Sequence, residues 1–425
     1  MTLFFENARY VNPQNSKLEK THILVEKGKI SAMGEKIKKP EGTKIISCKG
    51  KILLPGLVDM QVFAGEPGGE HRETLASASH AAAAGGVTNM VTSPATNPTI
   101  DSVPLVDFIM RRARDTAIVH VHPMACITKN MEGKTMTEFF LLKEAGATAF
   151  SDGTNTLMDA LVMRRVMEYA AMLDALLVQH VCDASLAAAG CMHEGELSLR
   201  LGLKGIPDAA ELMMIDRDIR LIEQTGARYH IAQISSAKSV ETLRNAKARG
   251  LKITASVSVH HLLLNEMDVQ EYRSFAKLDP PLRSEEDRIA LLEGVRDGTI
   301  DTIISAHMPQ SEEAKRHPFE HAAYGSIGVE TLLPAALSLY HEKSVPLARL
   351  IDALSTRPAN ILHIDGGSLE AGAPANIVLI DIDAPFIVDT DKLHSKSKNA
   401  VLEGRHLQGI VEKTFLNGKE IYSHA

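Results

Sequence analysis

The feature that most constrains this chain is an alternation running through its middle. Between residues 56 and 362, short apolar runs recur with longer amphipathic segments between them. The runs lie at 57–62, 88–93, 118–122, 147–152, 175–180, 228–235, 252–257 and 302–307. Helical periodicity fills the gaps, as at 74–84, 158–173, 209–225, 239–248 and 285–296. Strands separated by whole helices cannot pair as hairpins, so each must return parallel to the last. The pattern predicts an α/β fold, a (β/α)8 TIM barrel, with functional side chains at the C-terminal ends of the strands.

The two ends read differently. Residues 2–11, 22–33 and 43–54 are β-prone and punctuated by Asn12-Pro13 and Gly28; residues 375–388 and 411–422 answer them around Asn417-Gly418. Strands at both ends of a repeating middle predict one small composite β-sandwich domain, from residues 1–55 and 363–425, beside a barrel at 56–362. No low-complexity stretch interrupts the chain.

Composition narrows the function classes. A chain of 425 residues with 44% hydrophobic and 23% charged content is of ordinary globular type. A net charge of −7 without basic runs argues against nucleic acid, and no apolar stretch is long enough for a membrane span. The first residues carry no charged, cleavable leader. Cys48, Cys126, Cys182 and Cys191 lack paired spacing, which predicts reduced thiols in a cytoplasmic protein, each packed as a small hydrophobe.

The segment from Leu53 to Gly68 ends in Glu66-Pro67-Gly68, and its frame resembles the first barrel strand of the amidohydrolase superfamily, the class I dihydroorotases in particular. Other stretches that resemble the dihydroorotase pattern are Gly85-Gly86-Val87-Thr88, Pro280-Pro281-Leu282-Arg283, Gly325-Ser326-Ile327-Gly328 and Ser397-Lys398-Asn399-Ala400. The resemblance covers essentially the whole chain. It implies metal-assisted hydrolysis of a cyclic amide, with zinc held by imidazoles and carboxylates at strand ends.

The positions that would carry that chemistry have mostly changed. Where the resemblance implies a His-x-His pair, the chain has Gln61 and Phe63; the His expected after the sixth strand is Gln233. The residue implied as both ligand and general base is Ala306, which cannot accept a proton. Only Asp152 and His180 remain, against the three or so ligands that catalytic zinc requires. The implied substrate contacts have changed too, to Gly65, Ala95, Asp279 and Gln310. Asp279 puts a negative charge where an anionic substrate would lie.

Other groups have bland readings. His120-Val121-His122 is a second His-x-His, read as ordinary strand histidines for want of a third ligand; His260-His261 is read as structural. Asp279 and His307 are weighed as a new acid–base pair that lacks an electrophile stabiliser. Met158, Met163, Met167 and Met172 are read as core. The expectation is a catalytically silent dihydroorotase-like pseudoenzyme with no cofactor. By resemblance to inactive bacterial homologues, it is a structural partner of aspartate carbamoyltransferase, a homo-oligomer, or both. The alternatives are an active, zinc-using dihydroorotase or related amidohydrolase, and a small-molecule sensor using the emptied mouth.

Overall fold

The computed structural model describes residues 2–13 and 15–424. The ranges expected for the composite domain include residues 1, 14 and 425, which lie outside the described residues. From the N-terminus come β1 (Thr2–Val11), β2 (Leu18–Glu26), β3 (Lys29–Gly34), β4 (Lys44–Ser47) and β5 (Ile52–Pro55). Two of the expected runs split. Lys27 and Gly28, both at positive φ, turn β2 back into β3, and residues 48–51 separate β4 from β5.

The barrel follows as β6 (Leu57–Val62), β7 (Val87–Thr92), β8 (His120–Ala125), β9 (Ala149–Phe150) and β10 (Leu176–Gln179). After a two-residue pair, β11 (Met192–His193) with β12 (Gly205–Ile206), come β13 (Arg228–Ile231), β14 (Ile253–Ser258) and β15 (Thr302–Ile304). All eight barrel runs are found, several shorter than their sequence pattern. Helices Val103–Thr116, Phe139–Glu144 and Leu332–His341 add to those expected.

The eight barrel strands form one parallel sheet ordered β15-β14-β13-β10-β9-β8-β7-β6. Its two edges meet just past β15, where Val62 bridges His307 in parallel and Phe63 N–H donates to the His307 carbonyl at 2.9 Å. The sheet is thus nearly closed. At one end Ala359 and Leu362 pack in a cluster with Val58, Met60, Val91 and Val178.

The second sheet is drawn from both ends of the chain. It takes β16 (Ile377–Ile387), β17 (His406–Leu416) and β18 (Lys419–Ser423), and runs β18-β17-β16-β5-β1-β2-β3 with β4 beside β1. The joint is the antiparallel pairing of β5 with β16. Phe5, Ile23, Ile30 and Leu53 from one end pack with Ile377, Leu379 and Phe415 from the other. Because β5 runs into β6 across Gly56 alone, this core fixes where the first barrel strand begins. A Cβ on Gly56 would lie 2.2 Å from Thr88 Oγ1, so the junction has room for nothing larger.

Candidate functional site

Seven of the ten expected site positions line cavities at the C-terminal mouth of the barrel. Two adjoining cavities open there, an inner one of about 280 Å³ and an outer one of about 570 Å³. Gln61, Gln233, Ala306 and Gln310 line the inner cavity, Asp152 and His180 the outer, and Asp279 with Tyr324 lines both.

Gln61 and Gln233 come from β6 and from the turn after β13. Gln233 Nε2 donates to Gln61 Oε1 at 3.2 Å, so these two implied ligand positions satisfy each other. Phe63 is 2% exposed, with the Arg72 guanidinium 4.3 Å from its ring centre. Ala306 sits at φ +48, a conformation that costs a non-glycine residue about 1–3 kcal/mol. The backbone therefore retains a strained turn whose side chain offers no donor atom.

The two remaining implied ligands are committed elsewhere. Asp152 accepts from Thr128 on both oxygens, from N–H at 3.0 Å and from Oγ1 at 2.5 Å. Burial raises its carboxyl pKa, and the Thr128 bonds oppose that rise. His180 Nε2 lies 3.5 Å from Asp279 Oδ1. Among the described residues no group of three or more His, Cys, Asp or Glu is placed to hold a metal ion. With amide bonded to amide, an aromatic ring at a third position and both Asp152 oxygens taken, the residues present do not fit a zinc site.

The implied substrate positions show loss of a different kind. Gly65 has φ +75, and a Cβ there would fall 2.0 Å from the Glu73 carbonyl oxygen. No side chain fits without moving the backbone. Ala95 faces the turn after Asp152: a Cβ on Gly153 would lie 2.9 Å from the Ala95 Cβ. Gln310 donates from Nε2 to the Tyr324 carbonyl at 2.7 Å and receives Arg72 at 3.5 Å.

Beneath the mouth lies a layer of ionisable groups, of which the sequence singles out His307 alone. Glu73 is fully buried and accepts from Ser77 Oγ, Ser395 Oγ and Lys396 N–H. Its Oε2 lies 3.5 Å from His307 Nε2, and His307 Nδ1 accepts from Gly328 N–H at 3.2 Å and Val329 N–H at 3.4 Å. Asp279 and His307 thus do not form a pair: the first meets His180, the second Glu73. Asp59 Oδ1 accepts from Ser305 and Gln61 N–H, Oδ2 has no partner, and burial pushes its pKa up to about 6. One signal for Glu73 was present. It precedes Thr74, the N-cap of the helix Leu75–Ala84, where a carboxylate is favourable. Its partners Ser395 and Lys396 lie over 300 residues away, out of reach of any local pattern.

The bland readings fare unevenly. His120 and His122 have ring centres 6.4 Å apart, and His122 Nε2 bonds Asn89 Oδ1 at 3.0 Å. His260 and His261 are buried, 1% and 3% exposed. Met163 and Met167 are core, but Met158 and Met172 are 40% and 82% exposed: the first precedes the helix Ala160–Met172, and the second ends it off the face that buries Met163, Val166, Met167 and Ala170. All four cysteines are free; Cys182 is only half-buried and lines the outer cavity.

Two curated relatives match end to end. One, a dihydroorotase of Anaplasma phagocytophilum (strain HZ), is 39% identical over 427 residues, covering 99% of this chain and 95% of the relative. The other, a dihydroorotase of Syntrophus aciditrophicus (strain SB), is 41% identical over 423 residues, with 99% of each covered. The chain belongs to the dihydroorotase family. A family model described as dihydro-orotase-like also matches residues 50–239 of this dihydroorotase homologue. Its fold is similar to that of an L-hydantoinase (dihydropyrimidinase) from Arthrobacter aurescens, with a TM-score of 0.89 at 22% identity, covering 99% of this chain and 96% of that one. No described helix of this family member is long and apolar enough to cross a membrane.

Proposed function

We propose that this chain is a dihydroorotase-family protein that does not hydrolyse dihydroorotate and instead serves pyrimidine biosynthesis as a structural partner of an aspartate carbamoyltransferase. The observation that carries the first half is the Gln233–Gln61 bond at 3.2 Å, beside an Ala306 that offers no base. Hydrolysis of a cyclic amide needs an activated water and a polarised carbonyl. The mouth supplies neither a ligand set for a metal nor a side chain at the base position. Substrate affinity is reduced independently, because Gly65 has no room for an arginine and Asp279 repels a carboxylate.

The second half rests on resemblance and on what the chain has kept. Barrel, composite sheet and the buried Glu73–His307 layer persist, which suits a protein retained for its surface. The test is co-expression with the transferase of the same organism, followed by size-exclusion chromatography. The two should co-elute through an interface of about 1,200 Å² or more, and transferase activity should depend on the complex. Separate elution at micromolar concentrations, with transferase activity indifferent to this chain, rejects the scaffold reading.

A second reading has two observations in its favour. Asp152 and His180 line one cavity, and the relatives are called dihydroorotases. An active enzyme with altered metal use would show turnover above background that Asp152→Ala abolishes.

A further inference from the structure

We propose that the emptied barrel mouth is a binding site for a small organic cation, a protonated amine or amidinium, held against Asp279. The inference rests on the reading of a metal-free mouth and adds a ligand to it. The cavity walls carry four carboxylates, Glu132, Asp152, Asp159 and Asp279, and a single ammonium, Lys134. Three of the four are committed. Glu132 pairs with Lys134 at 3.4 Å, Asp152 holds Thr128, and Asp159 caps its helix by accepting from Leu161 and Val162 N–H. Asp279 alone is not. Its one ion-pair partner among the described residues is His180 at 3.5 Å, and its side chain is 30% exposed in the wall shared by both cavities.

A second, independent feature points to the same ligand. Gln233 is 4% exposed, lines the inner cavity, and spends its Nε2 on Gln61, while its carbonyl oxygen has no donor among the described residues. That oxygen opens onto the cavity, where it can accept from a ligand N–H. A carboxylate and an unpaired carbonyl on one cavity wall ask for N–H donors carrying positive charge. The nearby cations do not compete. Arg72 stacks on Phe63 and reaches only Gln310; Lys277 donates to the Glu320 carbonyl from the face of the Tyr324 ring, and neither lines a cavity. An inner space of about 280 Å³ fits one substituted six-membered ring.

Three probes of the same shape separate charge from size: benzamidinium, benzamide and benzoate. Each is titrated by calorimetry into chelator-dialysed protein whose zinc content is measured on the same sample. Benzamidinium should bind about tenfold tighter than benzamide, with benzoate weakest. Asp279→Asn should erase that preference, Gln233→Leu should weaken benzamidinium, and Lys134→Gln should leave the ranking unchanged. Melting curves check that each variant is folded. Zinc-free protein that binds none of the probes, or that keeps its preference in Asp279→Asn, overturns the cation site alone. A sample that retains stoichiometric zinc overturns the inert-mouth reading and this site with it.

Discussion

Four implied ligand positions at the barrel mouth and the layer just beneath them lie a few residues apart in sequence yet differ in chemistry. At the mouth, Gln61, Phe63, Gln233 and Ala306 carry no charge; one layer down, Asp59, Glu73 and His307 are sealed from water. Neighbouring positions on one strand differ in this way: Asp59 is fully buried, and Gln61 two residues on is half-exposed. Ionisable groups are absent from four of the implied ligand positions and present where the closure of the barrel needs them. Asp59 holds Ser305 across the seam between β6 and β15, and Glu73 ties the helix Leu75–Ala84 to residues 395–396. The difference separates two constraints that an active enzyme satisfies with overlapping residues.

The largest expected effect is acid lability, which comes from other histidines inside the barrel. Burial pushes the pKa of His230 and His260 down to about 3 and of His122 to about 4. Their stabilising effect is complete above the unfolded value near 6.5 and is lost as pH falls through that value toward the folded ones. Asp59 works the other way, since its raised pKa favours the folded state below pH 6. The histidines outweigh it, so stability should fall by about 4 kcal/mol between pH 7 and pH 5. Melting temperature measured against pH checks this. A flat profile would mean the histidines are not sealed.

Next is Glu73→Ala, which strips the partners from His307, Ser395 and Lys396 N–H and should cost about 3 kcal/mol, read by denaturant unfolding. Loss below 1 kcal/mol would remove the contrast between the layers. Gly65→Ala tests the mouth's backbone instead. At φ +75, with a carbonyl oxygen in the way, it should cost about 2 kcal/mol, with no change in any activity. The smallest effect belongs to the mouth's side chains. Gln61→Ala should shift stability by less than about 1 kcal/mol, the worth of one half-exposed hydrogen bond.

The fold was legible because its signal is local and repeated. Each barrel strand carries two to four apolar residues in a short run, and Lys252 to Val257 or Leu57 to Val62 needs no tertiary help. The helix Leu332–His341 gives no such signal: it is apolar on nearly every face, so it shows little amphipathic period. At the site, the changed residue types could be read position by position. Their new partners could not. The Gln233–Gln61 bond spans 172 residues, and the Arg72–Gln310 contact spans 238. Nor does sequence reveal that Gly65 is enforced by a carbonyl oxygen, since the clash exists only once the loop has folded back on Glu73.

The central claim, that the mouth does not hold a catalytic metal, is tested most directly by elemental analysis of protein purified with zinc present and then gel-filtered. The account predicts far less than one zinc per chain, unchanged by Asp152→Ala or His180→Ala. One zinc or more per chain, lost in either variant, would contradict it.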